Sequence, residues 1–363
     1  MEVVFQKNGG QYIQKLIDAA VARGRQQIVV SGNYEIEETV LLPSDFTLVL
    51  DDCHLMMADD TFCNMFTNAS CRRECGRRVS GTDHNIRIEG RGRAILDGGN
   101  YNGLNERNSL KEGYPHVSVN NLVLFTNVDG FRISGLHMRN QRWWAMNFIF
   151  CRNGQISNID FLSDFTRVDE DGNRVEGLVR DDGDHEDVYI RNSDGVDIRC
   201  GCHDILIENI TGFTEDDTVA LTGLKGKMEA MFGVEELSPD IYNIVVRNIN
   251  SAAFCSNVRL LNQGGIKLYN ILIDGIYDAS ANSRYLDRGG NGVRVGDMHM
   301  YGKRHSTAEE TYNITIRNVV SRAKTAAVNL AGAITNLTLD NISTFDGCGA
   351  RLLNNAQLKS TDV

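Results

Sequence analysis

The sequence predicts an all-β solenoid, and three features of one repeated pattern carry this prediction. Five seven-residue segments alternate apolar and polar residues and match almost letter for letter. Asn or Asp opens each segment, and Asn or Gly stands at its sixth position, where the chain would turn with a positive φ. The shortest interval between two starts is 23 residues, which suits one coil of a repeat protein. The segments are Asp204–Ile210, Asn243–Ile249, Asn270–Ile276, Asn313–Val319 and Asn336–Ile342.

Strand repeats joined by such turns predict a parallel β-helix, in which equivalent strands stack about 4.8 Å apart. Residues one coil apart in the sequence then become neighbours on the outer surface. The longer intervals between repeats leave two inserts, residues 223–240 and 279–310, which we expect to form loops bordering a cleft. Because a solenoid grows by repetition, residues 1–363 are predicted to form a single domain.

Residues 1–25 are predicted to cap the N-terminal end of this solenoid. The segment Gln11–Ala22 spaces its apolar residues as one stripe of a helix. A helix here would cover the first coil, whose strand edges would otherwise be exposed. Strands are expected next at Gln27–Val30, Asn33–Ile36, Thr39–Leu42 and Phe46–Leu50.

The composition argues against several classes of protein. A net charge of −11 disfavours a nucleic-acid partner and, more mildly, a long polyanionic polymer as substrate. An apolar run long enough for a membrane span is missing from the sequence. The first residues lack a basic region followed by an apolar run, so we expect a cytoplasmic protein, or a secreted one if a leader has been removed. The nine cysteines include no CxxC pair and are expected to be mostly free, and neither cofactor nor bound metal is predicted.

Three aspartates recur at nearly the same phase of two successive coils. Asp194 precedes Asp216 by 22 residues, so winding should bring it beside Asp216 and Asp217 on the outer surface. Like charges raise one another's pKa, which is the condition that a general acid needs near neutral pH. Consecutive strand residues point in opposite directions, so both members of the pair reach one cleft only if the backbone bends there.

The motifs around these aspartates resemble those of the polygalacturonases, glycoside hydrolase family 28. The family pattern Asn-Thr-Asp-Gly corresponds to Asn192–Gly195, and Gly-Asp-Asp corresponds to Glu215–Asp217. Cys255–Asn257 stands in place of the family's Gly-His-Gly, so its His is absent. Arg294 matches the Arg of Arg-Ile-Lys, while Gly296 replaces the Lys. The resemblance covers roughly residues 11–353 and implies a single-stranded right-handed parallel β-helix of the pectin-lyase type.

The resemblance also implies an inverting glycosidase acting on pectin-derived or related oligosaccharides. Asp216 would protonate the leaving oxygen, and Asp194 and Asp217 would activate water, with about 6.5–9.5 Å between acid and base. Basic residues in the two inserts could close one end of the groove, which predicts exo action. Trp144 would stack on a sugar ring, and Arg259 would replace the cation lost with the Lys. Substrate contacts are expected from Asn192, Asp197, Arg259, Arg294, Trp144 and His116.

Two other classes of function remain open at this point. A β-helix lyase or epimerase would need calcium or a basic residue acting on a uronate, and the sequence offers single arginines. A noncatalytic sugar-binding solenoid would fit the missing His and Lys but would not explain the retention of all three aspartates. The oligomeric state is not predicted.

Overall fold

The strands of the molecule pair only in parallel within the part of the chain that the structure describes. A computed structural model describes residues 3–71, 81–100, 119–163, 193–224, 232–234, 236–262, 265–283, 287–296, 304 and 306–359. One helix, α1 (Gly9–Ala22), precedes twenty strands. The strands are β1 (Gln27–Ile36), β2 (Val40–Leu42), β3 (Thr47–Met57), β4 (Phe66–Asn68), β5 (Asp83–Arg91), β6 (Ile95–Asp97), β7 (Val123–Thr126), β8 (Val128–Arg139), β9 (Met146–Ile149), β10 (Arg152–Leu162), β11 (Val196–Ile198), β12 (His203–Thr214), β13 (Val219–Gly223), β14 (Ile241–Ala253), β15 (Ser256–Asn262), β16 (Leu268–Asp278), β17 (Asn291–Val295), β18 (Thr311–Ser321), β19 (Ala326–Thr344) and β20 (Ala350–Lys359).

The strands stack in two series, as a parallel β-helix requires. Long strands β8, β10, β12, β14, β16 and β18 follow one another in the first series, and short strands β7, β9, β11, β13, β15 and β17 do so in the second. In the first series Ile156, Ile207, Val246, Ile273 and Ile316 lie at one level of successive coils, and all are fully buried. Such stacks of apolar side chains fill the interior, and the predicted fold class is therefore confirmed.

Asparagine corners hold successive coils together on the outside. The sixth position of each repeat has a left-handed backbone, as predicted, and so does the first position, where Asn243, Asn270, Asn313 and Asn336 have φ between 54° and 55°. Their side-chain amides form a ladder: Asn270 donates to Asn243 at 3.1 Å, Asn313 to Asn270 at 2.9 Å and Asn336 to Asn313 at 2.7 Å. Asparagine therefore serves both as the turn residue and as the bridge to the coil below.

The N-terminal helix caps the solenoid as expected, but it begins two residues earlier than predicted. Ile13, Ile17 and Ala20 bury the apolar face of α1. Glycine is required at its first position, Gly9, because the backbone packs directly on β1 there and an added Cβ would lie 2.6 Å from the Cβ of Tyr34. The two strands expected at the start of the sheet form one strand, β1, whose register shifts between Val30 and Gly32.

The second predicted insert, residues 279–310, is not a single loop. Strand β17 crosses it and supplies the next rung after β15. The structure shows no disulfide bond among the eight cysteines that it describes. No helix in the described ranges combines the length and apolar character needed to span a membrane.

The ladder leads to a stability prediction at Asn313. Asn313→Gly keeps the left-handed backbone but loses the bonds to Asn270 and Asn336, which should lower the free energy of unfolding by about 1 kcal/mol. Asn313→Ala loses the same bonds and also leaves in the left-handed region a residue that, unlike Asn, has no polar side chain to stabilise this backbone locally, which should cost about 1–2 kcal/mol more. Urea denaturation followed by circular dichroism measures both changes. Asn355→Ala is the control, because Asn355 is exposed and lies outside the left-handed region. Equal stability of the Gly and Ala variants would contradict this account of the corners.

Candidate active site

Backbone pairing between β11 and β13 places Asp194 and Asp217 at equivalent positions of adjacent coils. Val196 of β11 pairs with Val219 of β13, and the Gly195 amide donates to the Asp217 carbonyl at 3.0 Å. One coil at this point is therefore 23 residues, whereas the 22-residue interval noted in the sequence joins Asp194 to Asp216. Asp216 lies one residue earlier, in the turn between β12 and β13.

Hydroxyl groups shape that turn. The chain bends at Glu215 and Asp216, as the sequence required for both aspartates to reach one cleft. The Thr214 hydroxyl lies 3.1 Å from that of Thr218, which in turn lies 2.9 Å from the hydroxyl of Ser251 one coil on. The Glu215 side chain is fully buried, so the bend carries one acidic residue inward and presents the following two to the cleft.

The three aspartates converge on one small volume. One carboxylate oxygen from each of Asp194, Asp216 and Asp217 lies within 4.8 Å of the other two. The Asp217 amide donates to Oδ1 of Asp194 at 2.8 Å and ties the two levels together. Asp194 and Asp217 are buried, whereas Asp216 is partly exposed. The nearest oxygens of the three carboxyls lie closer together than the 6.5–9.5 Å expected between the acid and the base of an inverting enzyme.

Burial and mutual repulsion raise the pKa of two of these carboxyls. Burial raises the pKa of Asp194 well above its usual value, and Asp197, Asp216 and Asp217 add to the effect. Burial and the charge of Asp216 raise the pKa of Asp217 to about 7, although Arg259 acts in the opposite direction. Because the groups interact strongly, the cluster titrates as a unit and retains a proton near neutral pH.

A row of outward residues crosses the cleft beside the cluster. Asp197, Ala220, Arg259 and Arg294 occupy one level of four successive coils. Nη1 of Arg259 lies 3.5 Å from Oδ2 of Asp217. The small side chain of Ala220 separates the acidic end of the row from the basic end. The predicted replacement cation therefore lies in contact with the carboxylates.

Trp144 does not occupy the position predicted for it. The indole is 2% exposed, and the guanidinium of Arg199 lies over its ring, 4.5 Å from the centroid. Arg199 also approaches Asp197, with 3.5 Å between Nη1 and Oδ1. Trp143 is buried as well. Because Arg199 covers the ring face, Trp144 cannot stack on a sugar, and it supports the Arg199–Asp197 pair instead.

Two further cleft residues were not predicted from the sequence. Ser256 lies at the position equivalent to Asp217 on the next coil, since the Thr218 amide donates to the Ser256 carbonyl. The side chain of Ser256 helps to lower the pKa of Asp217. Its place in the segment that replaces the family's His motif was a signal for it. Asn147 pairs with Asp197 one coil below, is fully buried and has no hydrogen-bond partner for its amide atoms among the described residues. Asn192 and His116, both predicted to contact substrate, lie outside the described residues.

The aspartate cluster is also the place where a cation could be held. Three carboxylate oxygens at these distances can ligate a hard divalent ion once they are ionised. Arg259, which already approaches Asp217, disfavours that use because its positive charge competes for the same oxygens. The donor set therefore fits proton transfer better than metal binding.

The sequence and the fold each have known relatives. The model for glycosyl hydrolases family 28 matches residues 38–234, which is more than half of the chain and includes all three aspartates. A search of curated proteins gives no significant match to the sequence.

Two solved structures illustrate the likeness in fold. An exopolygalacturonase from Thermotoga maritima has a TM-score of 0.53 at 12% identity, over 99% of this chain and 93% of that one. The tailspike protein of E. coli bacteriophage HK620, in complex with a pentasaccharide, has a TM-score of 0.57 at 14% identity, over 97% of this chain and 62% of that one. At such identities these neighbours show the parallel β-helix alone. The family match shows more: this chain belongs to glycoside hydrolase family 28.

Proposed function

We propose that the protein is an inverting glycosidase of the polygalacturonase type, acting on short galacturonate-containing or related oligosaccharides. The convergence of Asp194, Asp216 and Asp217 beside two arginines is the observation that carries this proposal. Carboxylates supply the acid and the base of glycoside hydrolysis, and arginines favour an acidic sugar.

The exposures of the three carboxyls suggest their roles. Asp216 is the partly exposed member and donates its proton to the glycosidic oxygen as the bond to the anomeric carbon breaks. Asp194 and Asp217 together bind a water molecule and take its proton as its oxygen attacks that carbon. The products are two saccharides, each ending in a hydroxyl group, with one water consumed. Asp216 then regains a proton from solvent.

Family membership supports water over a carboxylate as the nucleophile, because the resemblance to the polygalacturonases implies inversion. An attacking carboxylate and a base must both be ionised when they act, so the raised pKa values of Asp194 and Asp217 do not distinguish a single from a double displacement. They require instead that the buried pair lose a proton before it can activate water.

The arginines support an acidic substrate despite the missing family Lys. Arg259 and Arg294 lie in register on adjacent coils, so their guanidinium groups can face one sugar ring. Guanidinium groups bind carboxylates through paired hydrogen bonds. The net charge of −11 disfavours a long polyanion, and short fragments avoid most of that repulsion. Exo action fits this preference, and we include it in the proposal.

A substrate panel tests the proposed reaction. Trigalacturonate and the nitrophenyl glycosides of galacturonate, galactose and rhamnose should show release of reducing ends or nitrophenol on the acidic members. Asp216→Asn, Asp194→Asn and Asp217→Asn should each lower kcat by about 10²- to 10⁴-fold, because each removes a proton-transfer group. Asp129→Asn, a change at a partly exposed aspartate outside the cluster, should leave kcat unchanged.

Other outcomes of that panel separate the competing classes. A product absorbing in the ultraviolet as an unsaturated uronide would indicate a lyase and contradict hydrolysis. Binding of sugars without turnover on any member would indicate a noncatalytic solenoid. Full activity of Asp216→Asn would refute the assigned acid.

The raised pKa of Asp217 predicts that the wild-type protein loses stability as pH rises. Between about pH 4 and pH 7 the folded state keeps a proton that the unfolded state has released, so the free energy of unfolding falls across this window. Asp217→Asn lacks this ionisation. It should therefore be more stable than the wild type at pH 8 by roughly 1–4 kcal/mol, with a smaller difference at pH 4.

Thermal unfolding at pH 4, 6 and 8 measures this dependence. Asp129 is the matched control, because its pKa shifts the other way: burial would raise it, but hydrogen bonds from Asn153 and Arg152 outweigh burial and lower it. Asp129→Asn should thus lose stability at pH 8 relative to the wild type. An Asp217→Asn variant no more stable than the wild type at pH 8 would contradict the assigned shift.

A further inference from the structure

A cavity lies at the ends of the long strands, next in the chain to the turn that carries Asp216. It has a volume of about 420 Å³ and opens to solvent at the ends of β8, β10, β12 and β14. The residues after β16 form one wall, and Asn282 and Ser283 lie there. None of its lining residues belongs to the aspartate cluster or to the row of arginines. Its volume falls within the range of about 300–1,000 Å³ that is usual for small-molecule sites.

The floor of this cavity is apolar. Leu162, Phe213 and Ala252 lie at one level of successive coils and form a small hydrophobic cluster outside the main core. At Gly212 the backbone of β12 packs closely against that of β10 beneath these side chains. Its φ is +103°, and an added Cβ would lie 1.9 Å from the carbonyl oxygen of Phe161. Only glycine fits at position 212, so this residue shapes the floor. The floor itself consists of one aromatic and two aliphatic side chains.

The charged groups of the cavity neutralise one another. Nη2 of Arg139 donates to Oδ2 of Asp160 at 2.5 Å, and Nη1 donates to the Met138 and Asp160 carbonyls at 2.9 Å. The Thr211 hydroxyl donates to the other Asp160 oxygen at 2.9 Å. Burial would raise the pKa of Asp160, but the hydrogen bonds from Arg139 and Thr211 outweigh it and lower the pKa. Asp160 therefore stays ionised and paired, and the lining residues that the structure describes carry no net charge.

We propose that this cavity is a second, noncatalytic saccharide site that takes a neutral sugar residue. Sugar rings combine an apolar face with polar edges. Leu162 and Phe213 would contact the apolar face, while Asp160 and Asn282 at the rim would bind hydroxyl groups. Sugars reach this surface because the chain is a glycoside hydrolase, so the inference rests on family membership and not on the bond that is cleaved. A neutral branch of a substrate could occupy it while the acidic backbone occupies the cleft.

The site borders the active site through a short stretch of chain. Phe213 lies three residues before Asp216 in the chain. Thr214, which lies between them, stabilises the turn through the hydrogen bonds of its hydroxyl group. A sugar held against Phe213 would therefore lie close to the turn that presents the proposed acid. The residues described as lining the cavity are not shared with the aspartate cluster.

Isothermal titration tests this site in the full chain carrying Asp216→Asn, which prevents turnover. The probes are galactotriose, arabinotriose and xylotriose as neutral sugars, with trigalacturonate as the acidic comparison. At least one neutral probe should bind. Adding Ala279→Trp, which fills the cavity from its wall, should weaken that binding about tenfold or more, the equivalent of 1.4 kcal/mol. Ala281→Trp, on the exposed side of the same turn, should leave it unchanged.

A second variant keeps the site testable if Ala279→Trp does not fold. Asn282→Ala removes an exposed rim amide and should weaken the neutral probe about threefold or more. Trigalacturonate should bind equally well in all four proteins. The site would be refuted by neutral probes that do not bind, by binding that neither Ala279→Trp nor Asn282→Ala weakens, or by an equal loss of trigalacturonate. If trigalacturonate binds to none of the four proteins, circular dichroism checks their fold instead, so failure of the proposed galacturonide hydrolysis leaves the test of this site intact.

Discussion

Hydrogen bonds between parallel strands fix the level of every residue in the solenoid, and the site depends on that register. The Gly195 amide donates to the Asp217 carbonyl, and the Thr218 amide donates to the Ser256 carbonyl. Three coils therefore share one level at the cleft. A slip by one residue would turn an outward side chain inward, because strand residues alternate. The asparagine ladders resist such a slip, since each amide bonds to the equivalent residue one coil away.

This register imposes an electrostatic cost at the cleft. It holds Asp194 and Asp217 on adjacent coils, buries both and places Asp216 beside them. Arg259 offsets part of the repulsion, and Asp197, whose charge would add to it, is paired with Arg199 over Trp144. The backbone supplies the rigidity that keeps the carboxyls together, and the raised pKa values are the consequence. The register of the strands therefore determines both where the carboxyls lie and why their pKa values are raised.

Much of this arrangement could be predicted from the sequence. Equivalent positions of the repeats can be aligned with one another, and that alignment predicts which residues pair between coils. The segments beginning at Asn243 and Asn270 predicted both the strands and the corners, and the spacing of the aspartates predicted their convergence. Local geometry was harder to predict. Whether one coil is 22 or 23 residues long depends on a bend stabilised by hydroxyl groups from Thr214, Thr218 and Ser251, and Ser251 lies 33 residues beyond Thr218 in the sequence. The burial of Trp144 depends on Arg199, which no repeat pattern identifies as its partner.

In the proposed mechanism the three carboxyls direct water to the anomeric carbon in one step. Proton NMR tests this step when it follows hydrolysis of an α-linked galacturonide and records the anomer formed before mutarotation. The β-anomer should appear first, because water attacks from the face opposite the leaving oxygen. First appearance of the α-anomer would show a double displacement through a covalent intermediate and would contradict the assigned roles of Asp194 and Asp217.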